Sequence, residues 1–311
     1  MTTAYAEIPT ILDAPEQRFP LDLGVRIPKI RDLLRNATHN QWNPATDIDW
    51  DALDPEDFTE QQRLGARYYW SRRAWGEYGA ISESPSLQIR YCQGKFAPDM
   101  RLYFTIRSQE ESRHAEVCFR MAERLGGYFE APQQAAFQGT VATHGVRRAA
   151  LDPDASLEST IAALVCAAEE IAFDVFRHLV EMTPNPVARQ VCKLIMRDEV
   201  RHCAFGWHFI NSRLPHMSPK EIEDMRQAVI TMIEKVELNG YHSAWLAPVT
   251  PSTAIEMAHD RLTWEAGLGA IVEELEKPVF AASIARIRSQ MKSAWGIDIP
   301  MFRHHKFATE I

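Results

Sequence analysis

The 311-residue chain reads as an all-α protein: four long helices forming a bundle, an N-terminal arm before it and additional helices after it. Three observations predict this. Apolar residues recur at helical spacing through most of the chain. Runs of alternating β-branched residues, the mark of half-buried strands, are absent. The breakers Gly126-Gly127, Pro184 and Pro186 fall between the helical stretches rather than inside them.

In chain order, residues 1–57 are rich in Pro, Asp and Asn and predict an irregular arm with short helical turns. The arm ends in DALDPEDF, an acidic cluster suited to starting a helix. From Thr59 the segment TEQQRLGARYYWSRRAWGEYGAISES has helical spacing and meets no breaker until Pro85. A second helix runs from about Pro98 to the Gly126-Gly127 cap. After a less regular stretch at 128–157 comes LESTIAALVCAAEEIAFDVFRHLVEM, ended near Pro184. The fourth helix follows Pro186 and runs through VARQVCKLIMRDEVRHCAFGWHFINSRL. Further helices are expected at 218–246, 252–275 and 278–294. The chain thus divides into an arm (1–57), a bundle (58–212) and a C-terminal helical part (213–311), within one domain.

Bulk properties exclude several function classes. A formal charge of −8 with no Lys/Arg cluster argues against a nucleic-acid partner. No apolar run reaches the roughly 20 residues that span a bilayer, so no membrane partner is expected. The N-terminus lacks a basic stretch followed by an apolar one, so a secretory signal is not indicated. Five cysteines, at 92, 118, 166, 192 and 203, are odd in number and never spaced as CxxC. They suit reduced, mostly buried thiols of a cytoplasmic protein.

Two short phrases carry the chemistry. Residues 110–114 read EESRH and residues 198–202 read DEVRH. Positions three apart share a helix face, with Cβ atoms about 5–6 Å apart. Glu111 with His114, and Glu199 with His202, can therefore each offer a carboxylate and an imidazole to one ion. This O/N mixture suits iron or manganese better than structural zinc, which prefers Cys or more His. One Glu-x-x-His is common on helices; two of them, each preceded by an acid, are a far stronger signal. A pair of divalent ions needs two further carboxylates. Glu77 in WGEYGAIS and Glu169 in LVCAAEEIAF stand in small, apolar settings where surface acids are out of place. On the third helix Ile161, Val165, Ala168, Ala172, Phe176 and Leu179 form one stripe with Glu169 beside it, so Glu169 is favoured over Glu170. Glu170, rotated further off, fits a solvated or salt-bridged acid. The His304-His305 pair and the eight tryptophans carry no assignment.

The order Glu, Glu-x-x-His, Glu, Glu-x-x-His over four helices resembles the ferritin-like di-iron carboxylate proteins. GEYGAI is similar to the first-ligand segment of bacterial multicomponent monooxygenase hydroxylases, and RDEVRH to the last-ligand segment of ribonucleotide reductase small subunits. The resemblance covers about residues 60–212 and implies a ferritin-like four-helix bundle. It implies metal ligands Glu77, Glu111, His114, Glu169, Glu199 and His202. It also implies that Asp198 holds His114 and Glu110 holds His202 across the bundle, since a metal-bound imidazole usually donates its other N–H to an acceptor. The implied cofactor is two iron ions (Fe2+/Fe3+), with manganese possible at one site, and O2 as co-substrate.

Three activities belong to such proteins: O2-dependent oxygenase, radical-generating subunit of the ribonucleotide reductase type, and iron store or ferroxidase. The radical subunits carry Tyr seven residues after the first Glu-x-x-His glutamate; Cys118 stands there, as in the hydroxylases. Storage chains lack the long arm and C-terminal helices. The expectation is therefore a monooxygenase-type di-iron oxidoreductase acting on a small organic molecule, with an external electron donor (reductase or ferredoxin); a homodimer is allowed for, with the oligomeric state left open. Arylamine N-oxygenases carry an extra His where Ile195 stands, and the hydroxylases a Thr where Phe173 stands, so the type of oxidation is left open between hydroxylation and N-oxygenation. Cys118 and Phe173, with Ala115, Ala172, Ile195 and Gly206, are expected around a mainly apolar substrate pocket.

Overall fold

The computed structural model describes residues 24–129, 152 and 154–311, and among these no strand occurs. The first long helix, α2 (Glu60–Gln93), opens on a capping box between Thr59 and Gln62. It does not stop at Pro85, as the sequence suggested, but runs on to Gln93. A proline inside a helix costs about 3 kcal/mol, yet the turns around it are anchored: Ser84, Leu87 and Tyr91 are fully buried, and α2 packs along α3 (Pro98–Arg124). Helix α3 starts on Pro98 and is closed where Gly127 N–H donates to Ala122 O at 2.9 Å. Gly126 and Gly127 have φ of 121° and 112°, backbone that side-chain-bearing residues avoid.

The third bundle helix is not one regular rod. It comprises α4 (Leu157–Ala163), a π-helical turn (Leu164–Glu169) and α5 (Glu170–Met182). The wide turn was not legible in the alanine-rich sequence; such turns are rare and concentrate at functional sites. All six of its residues are buried. The fourth, α6 (Pro186–Arg213), begins on the Asn185 side chain, which accepts from the N–H groups of Val187 and Ala188. Where α6 crosses the π turn, a Cβ on Gly206 would meet Val165 Cγ1 at 2.6 Å and Cys166 Sγ at 2.9 Å. Gly206, expected beside the substrate, is there for close helix approach.

The arm is more regular than its composition suggested. A 12-residue helix, α1 (Pro28–His39), precedes the 3-10 turns Trp50–Ala52 and Pro55–Asp57. It buries Ile30 and Ala37 against α3 and α6, the two helices that carry Glu-x-x-His. The part of the arm before residue 24, and most of the 128–157 stretch, lie outside the described residues.

Beyond the bundle, α7 (Pro219–Thr231) packs on α4, α8 (Pro251–Glu265) on α2, and α9 (Glu273–Trp295) on α5. One end of the bundle is closed by aromatic rings from three helices: Tyr91 stacks on Phe104, and Phe205 lies parallel to Tyr103 at 4.4 Å between centroids. Burial of each such side chain contributes about 1.5–3 kcal/mol. The site at mid-bundle thereby has closely packed, buried aromatic rings beside it. All five cysteines are free thiols, four of them buried. No helix of the described residues is long and apolar enough to cross a membrane.

Candidate metal centre

The six side chains named as ligands from the sequence meet inside the bundle. Two groups have donor atoms all within 4.8 Å of one another: Glu77, Glu111, His114 and Glu199, and Glu111, Glu169 and His202. Glu111 belongs to both. Glu199 also faces both imidazoles, with Oε1 3.2 Å from His114 Nδ1 and Oε2 3.0 Å from His202 Nδ1. The two rings are 6.2 Å apart between centroids. Both imidazoles thus present Nδ1 to the carboxylates and keep Nε2 for a second partner.

Those partners come from across the bundle. His202 Nε2 lies 2.8 Å from Glu110 Oε2, and His114 Nε2 lies 3.4 Å from Asp198 Oδ2. An acid at Nε2 fixes the tautomer that leaves Nδ1 free to bind a cation. Asp198 and Glu110 are fully buried, and Arg201 donates to both. Asp198 also accepts from Arg113 Nη2 at 3.2 Å and from the Trp42 indole N–H at 2.8 Å. Trp42 escaped sequence reading because nothing local in the arm marks it; only packing of α1 on α3 and α6 brings it there.

Glu169, at the end of the π turn, shares Arg107 with Glu111: Arg107 donates to Glu169, to Glu111 Oε1 at 2.9 Å and to the Ser84 hydroxyl. Glu170 turns the other way. Its carboxylate accepts from Trp207 Nε1 at 2.6 Å and pairs with Arg286 at 2.7 Å, a buried structural ion pair rather than a solvated acid.

The donor set fits divalent cations. Four carboxylates converge in a site where exposures run from 0% to 14%, and among nearby groups Arg107 is the cation bonded to two of them. Glu169 Oε2 is buried without a hydrogen bond, the kind of orphan atom that a coordinated ion satisfies. Electrostatics point the same way. Burial pushes the Glu77 and Glu169 carboxyls up to about 7. Burial opposes charge on His202 too, yet the Glu199 charge and the bonds that His202 donates to Glu110 and Glu199 raise it to about 10. His114 is likewise raised, against the burial penalty, by its bonds to Asp198, Glu111 and Glu199. Without a metal, protons on the two imidazoles take the place of a cation; metal binding must displace them.

A cavity with room for about 190 Å³ of solvent opens from the carboxylates Glu77, Glu111, Glu169 and Glu199. Its bundle wall includes Leu164, Ala168, Ala172 and Phe176, and its far wall is Gly240–Trp245 with Ile271 and Glu276. Of the residues expected around substrate, Ala172 is in this wall; Cys118, Phe173, Ala115, Ile195 and Gly206 are not. Cys118 packs with Val117, Met121 and Cys192 in the core, where burial pushes its thiol up to about 12. Phe173 is half-buried elsewhere on α5. Helical spacing placed them near ligands, but the cavity opens on the side of the C-terminal segments, and it is charged as well as apolar. Arg72, Arg73, His242 and Glu276, also in its wall, carried no signal in the sequence.

No protein-family model and no curated protein sequence matches the chain. Its backbone is similar to solved structures of R2-like ligand-binding oxidases. One with an aerobically reconstituted Mn/Fe cofactor after a long soak has a TM-score of 0.62 at 16% identity, covering 85% of this chain and 92% of that one. Another, with an aerobically reconstituted metal cofactor after photoconversion, has 0.60 at 16% identity, over 85% and 93%. A point variant with an aerobically reconstituted Mn/Fe cofactor has 0.60 at 16% identity, over 85% and 94%. The likeness is one of fold.

Proposed function

We propose that this chain, which has the helical fold of the R2-like oxidases, is a dinuclear metal oxidoreductase that uses O2 to oxidise a small organic substrate. The observation that supports it is the pair of Glu-x-x-His helices whose imidazoles share Glu199 and Glu111 beside an open cavity. Glu77, Glu111, His114 and Glu199 would hold one ion, and Glu111, Glu169, His202 and Glu199 the other. Two iron ions, or one manganese and one iron as in the neighbours, supply the electron transfer to O2 when bound.

The chain's own residues do the rest. Asp198 and Glu110 hold the imidazole tautomers, and Arg107 keeps Glu111 and Glu169 together. The aromatic base of the bundle keeps water from one side, while the cavity admits substrate from the other. If the oxidation is a monooxygenation, one oxygen atom enters the substrate and the other leaves as water. Two electrons and two protons are then consumed, so an external reductase or ferredoxin is part of the proposal.

Anaerobic loading of the purified protein with ferrous iron, followed by air, tests the reading. Metal content near two ions per chain, unchanged by repeated iron and O2 additions, is expected. Less than one ion per chain would sink the metal centre, and accumulation of many ferric ions would turn the reading to an iron store.

A further inference from the structure

Three arginines reach the cavity wall from the bundle, and they differ in what they are bonded to. Arg72 is saturated: it pairs with Glu256 and, at 3.0 Å, with Asp260. Arg107, although its Nε also lacks a partner, bonds through its Nη atoms to Ser84, Glu111 and Glu169. Arg73 has one such bond. Its nearest carboxylate is Glu77 at 3.5 Å, and its Nε is buried with no hydrogen-bond partner. Its guanidinium lies 4.2 Å from the Phe176 ring centroid and 6.0 Å from that of Tyr69. Two aromatic faces hold the cation in place but cannot neutralise it.

The contact with Glu77 is also the one that coordination would weaken. Glu77 is among the carboxylates assigned to the metal centre, and a ligating carboxylate has less charge to share. A guanidinium only 20% exposed carries a desolvation cost when its one anion is weakened. A single negative charge delivered into the cavity would remove that cost. Asp260 and Glu276 in the wall do not take this place: Asp260 is held by Arg72, and Glu276 accepts from Ser243 Oγ and Trp245 Nε1, each at 2.7 Å.

We propose that Arg73 is the recognition point for a carboxylate on the substrate, whose apolar body lies along Ala168, Ala172 and Phe176 toward the metal centre. This rests on the oxidase reading for the word substrate, but the anion site stands on its own observations. One guanidinium matches the single charge and planar shape of a carboxylate better than a dianionic phosphate.

Calorimetric titration of the metal-free and the Mn2+-loaded protein with cyclohexanecarboxylate and cyclohexanecarboxamide tests it. Wild type should bind the carboxylate at least about tenfold more tightly than the amide in both forms, a difference near 1.4 kcal/mol. Arg73→Gln should erase that preference, with its melting temperature measured alongside to show that it folds. Equal affinities in wild type, no binding of either probe at millimolar concentration, or a preference that survives Arg73→Gln each overturn the proposal. The wild-type comparison needs no variant. A carboxylate preference in a protein that takes up no metal would leave the anion site standing and remove the oxidase; two metals per chain without the preference would do the reverse.

Discussion

Trp42, in the N-terminal arm, donates its indole N–H to Asp198 Oδ2 at 2.8 Å, and the same oxygen lies 3.4 Å from His114 Nε2. The arm therefore reaches a proposed metal ligand through one carboxylate. Bonds from His114, its charge, and the Trp42 donor outweigh burial and hold Asp198 well below the usual carboxylate range. Asp198→Asn keeps the shape and removes the charge that fixes the imidazole. It should weaken metal retention about 10–100-fold, read as metal content after dialysis against graded chelator. Trp42→Phe, which removes one bond to a charged group, should cost about 1.5–3 kcal/mol in unfolding free energy. Unchanged metal retention in Asp198→Asn would remove the orienting role.

Glu169 and Glu170 are adjacent in sequence and opposite in environment, which makes them a matched test. Glu169→Ala should lower metal content from near two ions per chain toward one, because His202 and Glu111 then keep only Glu199, which the other ion also uses, beside them. Glu170→Ala should keep both ions and lower the melting temperature instead, since Trp207 and Arg286 lose their buried acceptor and leaving such donors unpaired costs about 1–3 kcal/mol each. Swapped phenotypes would reverse the assignment.

Arg107 makes the two candidate metal positions unequal. It bonds both carboxylates of the group Glu111, Glu169 and His202, but of the three carboxylates in the other group it bonds the shared Glu111 alone, and Arg73 touches Glu77 there at 3.5 Å. A fixed positive charge opposes an incoming cation by Coulomb repulsion, strongly so away from water. Titration with Mn2+ should show two steps, with dissociation constants at least about tenfold apart. Arg107→Gln should bring them closer. A single-step isotherm in wild type would show that the guanidinium does not discriminate.

Proton linkage gives a pH signature. Glu77 and Glu169 titrate at about 7 and His202 at about 10 in the folded chain, all raised from their ordinary values. A group with a raised folded pKa contributes stability below its unfolded pKa and loses it as pH rises through the folded one. The metal-free protein should therefore lose stability as pH climbs from 5 through about 7, and again toward about 10. Bound metal replaces those protons, so loading should flatten the melting temperature over that range. Metal binding at neutral pH should also release protons, measurable as a dependence of calorimetric heat on buffer ionisation. Heat independent of buffer would contradict protonated imidazoles in the metal-free site.

Helical periodicity is local, so the bundle helices and the faces bearing Glu111, His114, Glu199 and His202 could be read from spacing alone. The same is true of Glu77 and Glu169, because an acid in a run of small apolar residues has few ways to be solvated. Local pattern failed where a distant segment decides. Pro85 reads as a helix stop, but buried neighbours on α3 carry the helix through it. Cys118 and Phe173 sit at helical spacings from ligands, yet which side of a ligand becomes cavity depends on where Gly240–Trp245 and α8 pack.

What the sequence by itself determined is an all-α chain with two Glu-x-x-His phrases and two more acids in apolar surroundings, since 100° per residue puts each pair on one face. Only the tertiary structure decided that these faces share Glu111 and Glu199, that a π turn presents Glu169, that Trp42 reaches Asp198, and that Arg73 stands in the cavity wall with Glu77 as its one carboxylate partner. The reason is physical: each of these depends on contacts between residues far apart in the chain, formed when apolar faces pack, and no local spacing encodes them.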